Sequence, residues 1–141
     1  MAGKRIHKIY CWKIEADGLS VYMASSESGA VRVGASLKKT ADCVDYFKDE
    51  FPGIRLIRDE KMNQPLMEAL LASLKGSKAP RGLKMDIRLT PFQQMVLEAV
   101  RKIPFGRIRT YGEVAASVGS LGGARAVGQV MNRNPLPIIF P

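Results

Sequence analysis

Two helix-start signals constrain the fold of this chain more than any other feature of its sequence. The segment TPFQ at 90–93 supplies an N-cap threonine, a proline at the first helical position and a glutamine that completes a capping box. The segment TYGE at 110–113 repeats the capping-box pattern with Thr110 and Glu113, and the short helix that it starts is stopped by Gly119. A further helix is predicted at about 123–132. Two short helices joined by a glycine-containing turn predict a helix-turn-helix.

The helices of this region have contrasting faces. The helix that starts at Pro91 is predicted to bury an apolar stripe at helical spacing, formed by Phe92, Met95, Val96, Ala99, Val100 and Ile103. On the 123–132 helix, one face is apolar (Val127, Val130, Met131) and another carries hydrogen-bond donors and no acids (Arg125, Gln129, Asn132, Arg133). Ala124, Ala126 and Gly128 keep this helix slim. Periodicity alone leaves open whether the polar stripe binds DNA or is a solvated face.

The first half of the chain has the pattern of a small α/β domain. Segments 6–14, 19–25 and 30–36 are rich in β-branched and aromatic residues and have turn signals between them, which predicts an antiparallel β-meander. A helix capped by Thr40 is predicted to follow and to end before Pro52. A strand at 54–59 and a helix at 64–76 come next. We place a domain boundary after the polar linker 77–82, giving domains 1–82 and 83–141, and we expect a strand at 83–89 to open the second domain.

Charge and composition narrow the function classes. The net charge is +9, and residues 84–141 carry eight basic side chains, six of them arginines, against three acids, which favours a nucleic-acid face there. No apolar run approaches the ~20 residues of a membrane span, and there is no signal-peptide core, so we expect an intracellular protein with no membrane partner. Cys11 and Cys43 lack metal-ligand spacing and His7 is the only histidine, so we expect no metal and two buried cysteines.

The second half resembles a known family. TPFQQMVLEAVRKIPFGRIRTYGEVAASVG followed by ARAVGQVMNRNPLPIIFP is similar to the O6-alkylguanine-DNA alkyltransferases, or methylated-DNA–protein-cysteine methyltransferases. The likeness is sharp over 90–141 and looser over 1–89, where the family has a ribonuclease-H-like α/β domain. It implies DNA repair by a monomer without a cofactor, in the cytoplasm of a prokaryote or the nucleus of a eukaryote. The family binds double-stranded DNA containing O6-alkylguanine through the minor groove, flips the base and moves the alkyl group irreversibly to a protein cysteine.

The resemblance also assigns roles to residues. Arg125 would fill the place of the flipped base, Tyr111 would crowd the target phosphate and line the pocket, Asn134 would brace a turn, and Pro137 would form a pocket wall. The DNA-facing set would be Thr110, Ala124, Arg125, Ala126, Gly128, Gln129, Asn132 and Arg133. Structural alternatives stay open: Arg125 as a phosphate contact, Tyr111 packing on Phe105, Asn134 as a turn former, Pro137 as a chain stiffener, and the small residues as close helix packing.

The segment NRNPLPIIFP at 132–141 locates the expected chemistry. In the family this run leads into Pro-Cys-His-Arg, whose cysteine accepts the alkyl group, so we expect the acceptor directly after Pro141 and no catalytic residue within 1–141. Neither Cys11 nor Cys43 lies in the motif, and residues 1–141 alone are expected to be inactive. The following segment could reach the fold as a separate chain. The alternatives are a non-catalytic alkyltransferase-like protein that binds damaged DNA, or a helix-turn-helix regulator.

Overall fold

A computed structural model describes the chain at residues 5–16, 18–37, 42–77, 82–104 and 106–140. Within these ranges the strands are β1 Lys8–Ala16, β2 Leu19–Ser26, β3 Gly29–Ser36 and β4 Arg55–Arg58. The α-helices there are α1 Cys43–Phe47, α2 Gln64–Leu74, α3 Pro91–Arg101, α4 Tyr111–Ser117 and α5 Ala124–Asn132, and a 3₁₀ turn covers Lys61–Asn63. The order of an α/β part followed by a helical part is as the sequence predicts. None of the described helices has the length and apolar character needed to cross a bilayer.

The sheet is mixed, with strand order β3-β2-β1-β4. The predicted meander is confirmed: β1 pairs antiparallel with β2, and β2 antiparallel with β3. The further strand makes the sheet mixed, because β4 pairs parallel with β1, placing Ile9 opposite Leu56. Parallel neighbours need a crossover connection. Here α1 packs against β1, β2 and β4 and returns the chain to the start of β1.

Helix α1 is shorter than the sequence predicts. Asp42 is its N-cap, with a side-chain oxygen accepting a hydrogen bond from the Asp45 N–H at 3.0 Å. The same carboxylate pairs with Arg58 on β4, which fixes the helix start against the sheet. Thr40, the predicted cap, lies outside the described residues, and the helix ends at Phe47 rather than near Pro52.

The predicted strand at 83–89 is not formed. It makes one parallel bridge, between Met85 and Ala30: the Ala30 N–H donates to the Lys84 oxygen at 2.9 Å, and the Asp86 N–H donates to the Ala30 oxygen at 2.7 Å. Further along β3 the Val33 N–H instead donates to the Pro135 oxygen at 2.8 Å. Two segments from the second half therefore share the outer edge of β3, and neither can build a full ladder along it.

The larger hydrophobic core joins both halves of the chain. It combines one face of the sheet with α2, with α3 to α5 and with the segment after α5, through buried residues such as Met23, Leu70, Val96, Val127 and Leu136. The other sheet face packs under α1 in a second core. Residues 78–81 lie outside the described ranges, and a domain division at 82/83 remains a proposal.

Helix α3 buries a stripe slightly rotated from the predicted one. Val96 and Val100 are buried as predicted, and Leu97, which the predicted stripe left out, is 1% exposed. The prediction that Met95 belongs to the core is wrong, since 48% of its surface is exposed. Met95 lies beyond the buried stripe, on the side of α3 that faces solvent.

Candidate nucleic-acid interface

The two helix-start signals are realised as caps. At α3, Thr90 Oγ1 accepts from the Gln93 N–H at 3.1 Å, and Gln93 Oε1 accepts from the Thr90 N–H at 2.9 Å, which is a complete capping box. At α4, Thr110 Oγ1 accepts from the Glu113 N–H at 3.0 Å. Each hydrogen bond satisfies a backbone donor that a helix start would otherwise leave without a partner.

Helices α4 and α5 form the predicted helix-turn-helix. Gly119, with φ +78°, ends α4 in the left-handed region that glycine adopts without strain. Val114 and Ala115 of α4 and Val127 and Val130 of α5 are buried in the shared core, so the two helices are held to each other and to α3. The opposite side of α5 faces solvent.

That side of α5 carries the predicted polar stripe. Its side chains are exposed, namely Arg125, Gln129, Asn132 and Arg133. Among the small residues, Ala126 is exposed, whereas Ala124 and Gly128 are half-buried. Arg107 and Arg109, in the loop before α4, are exposed as well. The surface formed by this loop and α5 therefore carries exposed positive charge, which favours contact with a nucleic-acid backbone.

Tyr111 and Gly128 are brought together by the packing of α4 on α5. A Cβ atom added to Gly128 would stand 3.3 Å from both Cδ2 and Cε2 of the Tyr111 ring, closer than ordinary carbon contact. The tyrosine is 50% exposed. Phe105, the alternative packing partner of Tyr111, lies outside the described residues.

Asn134 clamps the segment that follows α5. Its Nδ2 donates to the Phe140 oxygen at 2.6 Å, and its Oδ1 accepts from the Leu136 N–H at 2.9 Å. The Phe140 N–H donates to the Leu136 oxygen at 3.0 Å, which closes the loop a second time. Residues 134–140, named here the clamp loop, are thus folded around one amide side chain.

The clamp loop is anchored by buried side chains and has one strained backbone position. Leu136, Ile139 and Phe140 are buried in the larger core, while Pro137 and Ile138 are half-buried. Ile138 has φ 79°, a left-handed conformation that is unfavourable for a β-branched residue. Such a conformation persists only where the surroundings hold it, and here the clamp and the buried side chains do so.

Cys11 and Cys43 lie away from this surface, in the second core. They are 0% and 2% exposed, and the Cys11 thiol donates to the Cys43 sulfur at 2.8 Å. Burial, and after it the hydrogen bond with Cys43, raises the pKa of Cys11 above the usual range of a thiol. The prediction that both are buried is confirmed. Within the described ranges, no three histidine, cysteine or acidic side chains are grouped as metal ligands.

Two contributors to the site were not found from the sequence. Val33 supports the clamp loop through a backbone N–H, which has no side-chain signature, and it lies about a hundred positions before Pro135. The contact of Gly128 with Tyr111 depends on how two helices cross. The sequence names Gly128 as a small residue of this helix, but nothing in it pairs that glycine with Tyr111.

Comparison with known proteins gives this surface a context. Residues 91–141 match the family model described as 6-O-methylguanine DNA methyltransferase, DNA binding domain. The inducible methylated-DNA–protein-cysteine methyltransferase of Bacillus subtilis is 28% identical over 120 residues, which cover 85% of this chain and 67% of the relative. The constitutive enzyme of the same organism is 46% identical over 66 residues, which cover 47% of this chain and 40% of the relative.

Solved structures extend the likeness to both halves of the fold. The O6-methylguanine methyltransferase of Mycobacterium tuberculosis has a TM-score of 0.70 at 28% identity, covering 94% of this chain and 75% of that one. The structure of Mycobacterium tuberculosis OGT in complex with DNA has a TM-score of 0.69 at the same identity and covers 94% of this chain and 74% of that one. The chain is thus similar to the methylated-DNA–protein-cysteine methyltransferases, and its residues 91–141 match the model of that family's DNA-binding domain.

Proposed function

We propose that the protein repairs DNA by direct reversal of O6-alkylguanine, moving the alkyl group to one of its own cysteines without a cofactor. The observation that carries this proposal is the continuity of an exposed, acid-free helix α5 with the clamp loop. One segment thereby offers a DNA-binding face and, immediately after it, a rigid turn. A DNA substrate places the protein with the genome, in the cytoplasm of a prokaryote or the nucleus of a eukaryote.

The DNA-binding step is assigned to α5 and the loop before α4. The slim stripe of Ala124, Ala126 and Gly128 suits entry into a minor groove, while Gln129, Asn132 and Arg133 supply donors to the backbone. Arg125 is assigned the place of the extruded guanine in the base stack. Thr110 caps α4 and so sets Tyr111, which is assigned to the pocket beside the target phosphate, with Pro137 as a wall.

The transfer step needs a reactive thiolate. Its sulfur attacks the alkyl carbon, the bond from that carbon to guanine O6 breaks, and the proton lost by the thiol is balanced by the one that guanine regains at N1. Cys11 and Cys43 are unsuited, because both are buried and the raised pKa of Cys11 favours its neutral thiol. The acceptor is therefore proposed to follow Pro141, carried there by the clamp loop. A thioether is not hydrolysed in the reaction, so each molecule acts once.

The proposal is tested by locating the adduct. The full-length product of the gene is incubated with duplex DNA containing O6-methylguanine, digested and analysed by mass spectrometry. We expect one methyl group, on a cysteine in the peptide that follows Pro141. A polypeptide of residues 1–141 is expected to carry no adduct, and transfer should return when the following segment is fused or added as a separate chain. Rapid methylation of Cys11 or Cys43 would contradict the proposal.

The role of Arg125 is tested by comparing two substrates. Arg125→Ala should slow transfer from alkylated duplex DNA much more than transfer from free O6-benzylguanine, because only the duplex requires a flipped base to be held out of the stack. Arg55→Ala, which removes an exposed arginine from β4, is the matched control and should affect neither reaction. Equal slowing of both reactions by Arg125→Ala would make Arg125 a structural residue.

A second function is favoured by one observation. Residues 1–141 hold the DNA-binding face and the clamp loop, yet both of their cysteines are buried. This combination also suits a protein that recognises alkylated DNA without repairing it. Tight binding to alkylated duplex without any adduct on the encoded protein would select that function. Preference for a particular undamaged sequence would instead indicate a helix-turn-helix regulator.

A further inference from the structure

We infer that Gly128 is a positioning residue for Tyr111: its missing side chain provides the space in which the tyrosine ring lies beside α5. The inference rests on the proposed function, in which Tyr111 lines the pocket for the flipped nucleotide. It adds a requirement to Gly128 that is separate from the slimness of α5 towards DNA.

The geometry supports this assignment directly. Two adjacent ring carbons of Tyr111, Cδ2 and Cε2, lie 3.3 Å from the point that a Cβ of residue 128 would occupy. A methyl group there would require the neighbouring ring to move by a few tenths of an ångström. The contact is broad, since it involves an edge of the ring and not the tip of a flexible chain.

The backbone of Tyr111 is held in place by the start of α4. Tyr111 is the first residue of α4, and the preceding Thr110 caps the helix through the Glu113 N–H. Its Cα position is therefore fixed by the cap and by the burial of Val114 and Ala115 behind it. What remains adjustable is the side chain, and α5 at Gly128 limits where it can lie.

The position on α5 links this contact to the DNA-facing stripe. Gly128 lies three residues after Arg125 and four before Asn132, so all three are on neighbouring positions of one helical surface. The ring of Tyr111 therefore borders the stripe, and the residue is 50% exposed. A shift of the ring would alter the surface that meets the extruded nucleotide.

Glycine inside a helix is unfavourable compared with alanine, which makes a stability role a poor explanation of Gly128. Gly112 offers a matched control: it also lies in a helix of this motif, but its added Cβ would meet only Thr110 Oγ1, at an ordinary 3.8 Å. Alanine at the two sites thus makes the same chemical change, with the Tyr111 ring in the way at only one of them.

The experiment uses the protein as encoded and four variants: Gly128→Ala, Gly112→Ala, Tyr111→Ala and the Gly128→Ala/Tyr111→Ala pair. We expect Gly128→Ala to slow transfer from alkylated duplex roughly fivefold, as suits a displacement well below 1 Å. Transfer from free O6-benzylguanine should change less, and the melting temperature should not fall. Gly112→Ala should match the wild type in duplex transfer. In the Tyr111→Ala background, Gly128→Ala should have a much smaller effect than in the wild type, because the obstructing ring is gone and only the added width of α5 towards DNA remains.

A spectroscopic readout separates this inference from the proposed function. In the wild-type protein without DNA, NMR should show contacts between the Gly128 Hα protons and the Tyr111 ring, and the ring signals should shift in Gly128→Ala but not in Gly112→Ala. Absence of these contacts, or equal duplex rates for the two alanine variants, overturns the inference. Absence of transfer by the wild type overturns the proposed function. The variants are then compared by binding to duplex DNA, where Gly128→Ala is still expected to be weaker than Gly112→Ala.

Discussion

At the scale of single residues, Asn134 has the clearest consequence, because one side chain holds both ends of the clamp loop. Its amide group donates to the Phe140 oxygen and accepts from the Leu136 N–H, so both of its polar atoms are used. Aspartate keeps the acceptor but replaces the donor by an oxygen that faces another oxygen. The chemistry of the clamp therefore requires asparagine.

We expect Asn134→Ala to lower the free energy of unfolding by roughly 1–3 kcal/mol, the sum for two hydrogen bonds whose backbone partners remain. Asn134→Asp should be destabilised at least as much at pH 7. Asn132→Ala, an exposed asparagine two positions earlier, is the control for stability and should change it by less than about 0.5 kcal/mol. The measurement is urea unfolding; a clamp variant as stable as the control would show that the loop holds without Asn134.

Sequence reasoning at this scale succeeded where the partner is close along the chain. Thr90 and Thr110 each cap a helix through a residue three positions away, and such patterns are visible in the sequence itself. The contact between Tyr111 and Gly128 depends on how α4 crosses α5, so neither residue predicts the other in the sequence. Residue roles that depend on tertiary packing were for this reason the ones missed.

At the scale of elements, helix starts decide where functional side chains lie. The cap at Thr110 sets the first turn of α4, and Tyr111 is the first residue of that turn. Anything that frays the helix start also loosens the tyrosine.

Thr110→Ala should lower the free energy of unfolding by about 1 kcal/mol through loss of the cap. It should also weaken binding to alkylated duplex DNA. Thr110→Ser keeps the hydroxyl acceptor and should retain most of both properties. Thr90→Ala, which removes the cap of α3, is the matched control: a similar loss of stability is expected, with less effect on DNA binding. Stability is measured by thermal unfolding and binding by fluorescence anisotropy. Equal DNA-binding losses at Thr90 and Thr110 would remove the special link between the α4 start and the interface.

The elements that were predicted wrongly share a cause. Apolar and polar residues alternate in the 83–89 segment as they do in a strand. The edge of β3 that this segment would pair with is partly occupied, because the Val33 N–H donates to the Pro135 oxygen. Helix α1 starts at Cys43, after the N-cap Asp42, whose carboxylate also pairs with Arg58 of β4. In both cases a partner distant in sequence overrides a local pattern, whereas the capped helices α3 and α4 were placed correctly by local signals.

At the scale of the whole molecule, the excess of positive charge is greatest in the second half of the chain. Arg107, Arg109, Arg125 and Arg133 are exposed on or beside the helix-turn-helix. Binding that depends on them should release counterions from DNA, and the salt dependence of affinity reports how many take part.

We expect the log–log dependence of DNA affinity on salt concentration to have a slope of roughly −3 to −4, corresponding to about three or four phosphate contacts. Removing Arg133 as Arg133→Ala should make the slope less steep by about one unit, while Arg55→Ala should leave it unchanged. The measurement is a titration at several salt concentrations with undamaged duplex DNA. A slope near zero would contradict the assignment of this surface to DNA binding.

The bond from the Val33 N–H to the Pro135 oxygen has a consequence for synthesis. At about 5–20 residues per second, the ribosome adds the hundred or so residues between them in roughly 5–20 s. Throughout that interval β3 can pair with β2, yet its outer edge still lacks the segments that later cover it. An uncovered strand edge is a template for pairing with other chains. The nascent protein is therefore most prone to aggregate before its clamp loop emerges, and slow translation of the second half would prolong that exposure.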